Sequence, residues 1–132
     1  MMVADTDVLI DFLDGRPPAA ARIALELDRG QLGTTVITRF ELLAGAKTSS
    51  QQRVVGELLA AIPCLPLDER SADTAAEIRR TLERSGAAIG MADSLIAGIV
   101  VACGGVLLTR NRRHFERVQG LALGGLSQPE GN

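Results

Sequence analysis

The apolar positions change their spacing along the chain, and each change marks an element. Met1 to Ala4 is a short apolar run without helical spacing and reads as a strand. Val8, Leu9, Phe12 and Leu13 then recur at i, i+1, i+4 and i+5, which is one face of a helix. Gly15-Arg16-Pro17-Pro18 breaks that helix, and Ala20, Ile23, Ala24 and Leu27 define a second one ending near Gly30. Gly33 to Ile37, rich in Thr and Val, predicts a second strand. Thr38-Arg39-Phe40-Glu41 opens the next helix, and the polar patch Lys47 to Gln52 leads into another that carries Val54, Val55, Leu58 and Leu59.

The second half repeats the alternation. Ile62 to Leu67 is a strand candidate, and Pro63 and Pro66, which cannot donate to a ladder, put it at a sheet edge. Asp68 stands as the N-cap of a long helix with Ala75, Ile78 and Leu82 on one face, stopped around Ser85-Gly86. Met91 to Cys103 is apolar almost all round, the pattern of a central buried helix. Gly105 to Thr109 holds the continuous run Val106-Leu107-Leu108 of a parallel strand. A short helix over 110–118 and a last strand over 121–123 complete the chain. Strands alternating with helices predict an α/β fold, a three-layer α/β/α sandwich around a mainly parallel sheet of four or five strands. One domain over 1–126 is expected, with 127–132 as a frayed tail.

Composition narrows the function classes. The chain has 132 residues, of which 46% are hydrophobic, enough for a well-packed core. Aromatics are 2%, with no Trp or Tyr, so stacking platforms for bases are not on offer. A net charge of −2 does not announce a nucleic-acid binder. The cations are nevertheless almost all arginine, suited to bidentate phosphate contacts, with Lys47 the only lysine. Cys64 and Cys103 sit in apolar stretches without metal spacing and read as buried hydrophobes in a reducing compartment. The most apolar stretch, Leu95 to Leu108, is broken by Gly104-Gly105 and too short to span a bilayer. The first strand stands where a signal peptide would, and a cytoplasmic location without membrane contact is expected.

Candidate chemistry lies in the acids at element junctions. Asp5 ends the first strand, Glu41 falls in the first turn of the helix after the second strand, and Asp93 falls in the first turn of the central helix. In an open parallel sheet Asp5 and Glu41 share the carboxyl edge, where ligands bind, and Asp93 joins them if its helix begins above it. Three carboxylates gathered there repel one another unless a cation holds them ionised, and oxygen donors suit Mg²⁺ or Mn²⁺. Each residue also has a structural reading: Asp5 as a helix N-cap, Thr38 with Glu41 as a capping box, Asp93 as a partner of the helix dipole.

Four segments together resemble the successive motifs of PIN-domain proteins, in particular VapC-type ribonuclease toxins of bacterial toxin–antitoxin pairs. They are Asp5-Thr6-Asp7-Val8-Leu9-Ile10, Thr38-Arg39-Phe40-Glu41-Leu42, Ala92-Asp93-Ser94-Leu95-Ile96-Ala97 and Leu108-Thr109-Arg110-Asn111-Arg112-Arg113-His114-Phe115. The resemblance spans essentially the whole chain. It implies an endoribonuclease dependent on Mg²⁺ or Mn²⁺, with Asp5, Glu41 and Asp93 as catalytic metal ligands that activate water and stabilise charge on the scissile phosphate. It also implies an RNA substrate, a small VapB-like antitoxin as partner, and a homodimer. Thr6 and Thr109 border the site as hydroxyl contacts.

The fourth motif departs from the family, whose members often carry another aspartate there. Asn111 offers a carbonyl oxygen or a hold on a metal-bound water, and His114, the single histidine, is either a general acid near pH 7 or a surface residue. Arg110, Arg112, Arg113 and Arg117 crowd the same segment, as a strip for RNA phosphates or a solvated basic face. Two rivals stand beside the nuclease. A catalytically silent PIN-like binding module would explain the missing acid. Asp5-Thr6-Asp7-Val8 also resembles the first motif of haloacid-dehalogenase-type phosphatases, with Asp5 as nucleophile and Asp7 as general acid, chemistry that needs a lysine for the phosphate.

Overall fold

Val3 and Ala4 point to opposite faces of the first strand, and that alternation separates two cores. The computed structural model describes residues 1–127. Of the tail expected to fray, Ser127 is an exposed bend and 128–132 lie outside the described residues. Strands β1 (Met2–Ala4), β2 (Leu32–Thr35), β3 (Cys64–Leu65), β4 (Val106–Leu108) and β5 (Ala122–Leu123) form one sheet in the order β3-β2-β1-β4-β5. Every pairing is parallel. The helices between them are α1 (Thr6–Asp14), α2 (Ala19–Asp28), α3 (Val36–Gly45), α4 (Ser49–Ala61), α5 (Glu69–Arg84), α6 (Met91–Cys103) and α7 (Arg112–Phe115). Ala4 and Leu108 face a core shared with Val8, Leu9, Ile23, Leu42, Val55 and Leu58, from α1 to α4. Val3 and Leu107 face the other, made with Ile78, Leu82, Ile96, Val100 and Phe115 from α5 to α7. This is the expected three-layer sandwich, with β3 at an edge as its prolines require.

Register fixes what stands at the carboxyl edge. Ala4 pairs with Thr34 on one side and with Leu108 on the other, so Asp5, Thr35 and Thr109 are the next residues of three adjacent strands. The chain lays β2 and β3 to one side of β1 and returns to place β4 on the other. The switch in direction falls between β1 and β4, where a crevice opens in sheets of this kind. α6, which carries Asp93, packs tightly on α5. A Cβ on Gly98 would stand 2.6 Å from Ala75 Cβ and 2.7 Å from both Ala75 N and Ser71 O. Among the described residues no helix is long and apolar enough to cross a membrane.

Three local expectations are corrected. β2 ends at Thr35, not Ile37, because Thr35 Oγ1 accepts the Thr38 N–H at 3.2 Å and caps a helix that starts at Val36. Side-chain capping here overrides the strand preference of Val36 and Ile37. Thr38 and Glu41 therefore form no capping box, and Glu41 sits in the second turn of α3. The capping box that does form is Thr48 with Gln51 at the start of α4. The helix expected over 110–118 contracts to α7, since the Asn111 N–H turns back to Thr109 Oγ1 at 3.0 Å. Cys103 is exposed and Cys64 half-buried, because one ends α6 at the surface and the other lies on an edge strand.

Candidate active site at the carboxyl edge

Asp5 anchors the site. Its side chain caps α1, with Oδ1 accepting the Thr6 N–H at 2.8 Å, while Oδ2 accepts the Thr109 hydroxyl at 2.7 Å across the switch point. Capping and site chemistry, alternatives in the sequence, are joined in one residue. Asp5 is buried, and burial first, then the charges of Asp7 and Asp93, push its carboxyl up to about 6 despite the lowering effect of both hydrogen bonds. Among the described residues no arginine or lysine pairs with it.

Glu41 joins this edge through Thr6. The Thr6 hydroxyl donates to Glu41 Oε1 at 2.6 Å, and having spent its one proton there it accepts from Thr38 Oγ1 at 3.1 Å. Thr38 and Glu41 are three residues apart on one face of α3, which is how the buried Thr38 comes to support Glu41 without capping. Thr38 was missed as a site residue, although its spacing from Glu41 carried the signal.

Asp93 lies in the first turn of α6, after Gly90, an N-cap with no side chain to bond. Its Oδ2 stands 2.6 Å from His114 Nδ1, and Asn111 Nδ2 lies 2.7 Å from the same nitrogen. His114, though exposed, thus contacts one of the candidate acids, and the Asn111 side chain meets the carboxylates only through it. As the side chains stand, no three Asp, Glu, His or Cys side chains among the described residues close on a single point. The structure brings Asp5, Glu41 and Asp93 to one edge, each held by a hydrogen bond of its own.

The arginine strip divides. Arg110 Nε pairs with the buried carboxylate of Asp11 at 2.6 Å, and the Arg110 N–H donates to both oxygens of Asp7, at 3.3 and 3.2 Å. Arg112 donates to the Gly124 carbonyl at 3.0 Å. These two arginines brace the loop after β4, although their side chains are exposed like those of Arg113 and Arg117. Burial raises the Asp7 carboxyl, and the bond from the Arg110 backbone lowers it in part. The phosphatase rival lacks its lysine here: Lys47 Nζ donates to the Ala44 carbonyl at 2.7 Å, at the far end of α3.

The comparisons with known proteins place the whole chain, and with it this carboxyl edge, in a known family. The PIN domain profile matches residues 2–121, and the chain belongs to the PIN-domain family, among its VapC-type ribonucleases. It is 33% identical over 121 residues to the tRNA(fMet)-specific endonuclease VapC of Shigella flexneri, covering 89% of this chain and 91% of that protein. It is 34% identical over 115 residues to ribonuclease VapC10 of Mycobacterium tuberculosis, covering 87% of this chain and 86% of that one. The crystal structure of DNA-bound VapBC from Salmonella typhimurium matches with a TM-score of 0.81 and 28% identity, over 95% of this chain and 97% of that chain.

Proposed function

We propose that the chain is a divalent-metal-dependent endoribonuclease, the toxin of a toxin–antitoxin pair, working in the cytoplasm. The observation that carries this reading is Asp5: a buried carboxylate pushed up to about 6 beside two further acids, without a cationic side chain of its own. The donors at the edge are hard oxygens, and a dication is the missing charge that would keep Asp5 ionised at neutral pH. Asp5, Glu41 and Asp93 would hold Mg²⁺ or Mn²⁺. Such an ion, when bound, acidifies water and offsets charge on a phosphate. The work of the chain is to prepare that edge. Thr109 and the Thr6 N–H fix the Asp5 carboxylate, and Thr6, backed by Thr38, fixes Glu41. Exposed Arg113 stands on the adjoining surface, where a phosphate backbone would pass.

The antitoxin follows from the relatives, since the Salmonella protein was crystallised as VapBC. An apolar groove lined by Ile10, Leu13, Leu42, Val54 and Val55 runs between α1, α3 and α4, with Glu41 on its rim. An antitoxin segment lying there would cover the site from one side. A homodimer, as the family resemblance implies, completes the assembly.

The test is incubation of partner-free protein with total cellular RNA, with and without Mg²⁺ or Mn²⁺, wild type beside Asp5→Ala. Discrete fragments that require both metal and Asp5 support the reading. RNA left intact under every metal overturns it in favour of the silent binding module.

A further inference from the structure

We infer that His114 is a positioning residue for Asp93. The inference rests on the metal-dependent reading above and extends it to the part of the site where the fourth motif has no acid.

The contact itself sets the direction. Asp93 Oδ2 and His114 Nδ1 are 2.6 Å apart, and a carboxylate cannot donate, so the imidazole proton sits on Nδ1 and points at Oδ2. A lone pair on Nδ1 would face a carboxylate oxygen at the same distance, which is repulsive. With Nδ1 protonated, the Asn111 amide beside it is compatible when its oxygen, not its NH₂, faces that proton; the O and N of an amide are assigned from such networks.

His114 is the side chain that holds Asp93 in place. Gly90 caps α6 without a side chain, and Asp93 has no other side-chain partner among the described residues. Asp5 carries like charge, since the Asp93 carboxylate is one of the groups that raise the Asp5 carboxyl. Left to itself, Asp93 would swing away from Asp5 toward water. The hydrogen bond from His114 fixes Oδ2 and leaves Oδ1 as the oxygen available to a cation. The imidazole is itself well placed, because the next residue, Phe115, is fully buried in the core under α6. The histidine thus supplies orientation at a position where a fourth acid would supply charge.

The geometry makes a variant-specific prediction. An Asn side chain places its amide nitrogen where Nδ1 stands, whereas Gln extends to the position of Nε2. His114→Asn therefore keeps the donor to Asp93, and His114→Ala and His114→Gln lose it. Mn²⁺ binding is measured without RNA, by the loss of the free-ion EPR signal, on wild type, the three His114 variants and Asp5→Ala. RNA cleavage and circular dichroism are recorded alongside. The expected result is a Mn²⁺ affinity five- to tenfold weaker in His114→Ala and His114→Gln, with His114→Asn within twofold of wild type and cleavage following the same order. Equal affinity in all three His114 variants, with Asp5→Ala impaired, overturns the positioning role alone. Equal affinity in wild type and Asp5→Ala overturns the metal site on which it rests. A directly coordinated ¹⁴N in the pulsed EPR spectrum of the wild-type Mn²⁺ complex makes His114 a ligand, and also overturns it. Should His114→Ala fail to fold, the contrast between Asn and Gln carries the test.

Discussion

Replacing Asp5 by Asn should make the metal-free protein more stable while abolishing its activity. Burial and neighbouring acids move this carboxyl from an ordinary 3.8 to about 6. At about 1.36 kcal/mol per pH unit, that costs the ionised native state on the order of 3 kcal/mol. Below pH 3.8 the group is neutral in folded and unfolded chains alike, and the cost is absent. As pH rises the unfolded chain ionises first, stability falls, and the loss is complete above about 6. Asn removes the charge and can keep the network. Its oxygen accepts the Thr6 N–H, its NH₂ donates to Thr109 Oγ1, and the Thr109 hydroxyl turns to Asp7 Oδ2, 3.5 Å away. Asn also serves well as an N-cap, and loss of the carboxylate at the α1 dipole takes back about 0.3–1 kcal/mol. A net gain of about 2 kcal/mol remains, roughly 6–10 °C in melting temperature for a domain of this size. Thermal melts in chelator at pH 7.5 and pH 4 read it directly. The gap should be wide at pH 7.5 and nearly closed at pH 4, and added Mn²⁺ should raise wild type more than the variant. An Asp5→Asn protein less stable than wild type at pH 7.5, or a gap independent of pH, would refute the account of the site as a held-in charge.

Gly98→Ala should destabilise by about 1–3 kcal/mol, because the new methyl meets α5 backbone that cannot move aside, and urea melts would show it. Arg110→Ala should lower stability by about 2 kcal/mol by leaving the buried Asp11 carboxylate without its partner. Arg113→Ala should leave the melt unchanged and raise KM for RNA several-fold, with a weaker salt dependence; equal melts for the two arginine variants would count against this division of roles. Glu41→Ala should abolish cleavage at a stability change within about 1 kcal/mol, since Glu41 caps nothing.

The sequence was most legible where hydrophobic period and turn chemistry agreed. Asp68 capping α5, and α6 running from Met91 to Cys103, fall where they were expected. Asp5 and Glu41 share an edge as parallel-sheet topology requires, and Asp93 joins them because α6 begins at Met91, near enough for its charge to act on Asp5. The start of α3 was misread because Thr35 and Thr38 are both competent caps, and only the register Ala4↔Thr34 decides between them. Arg22 and Glu26 stand at i, i+4 on α2, and both are buried, with Arg22 Nη2–Glu26 Oε2 at 3.2 Å. Tertiary packing of α2 decides that, and helical spacing carries no trace of it. His114 was ambiguous because the residue that gives it a role is brought close only by the docking of α7 beside α6.

The hydrogen bond from Thr109 to Asp5 joins residues 104 positions apart. In synthesis Asp5 precedes Thr109, the residue after β4, by that whole span. Glu41 and Asp93 arrive in between, each dependent on a hydroxyl or imidazole from another segment. A chain made only as far as α6 therefore holds Asp5 and Asp93 without Thr109 and His114, whereas Glu41 already has Thr6. Two of the three acids are thus aimed only after β4 and α7 have been made and have docked.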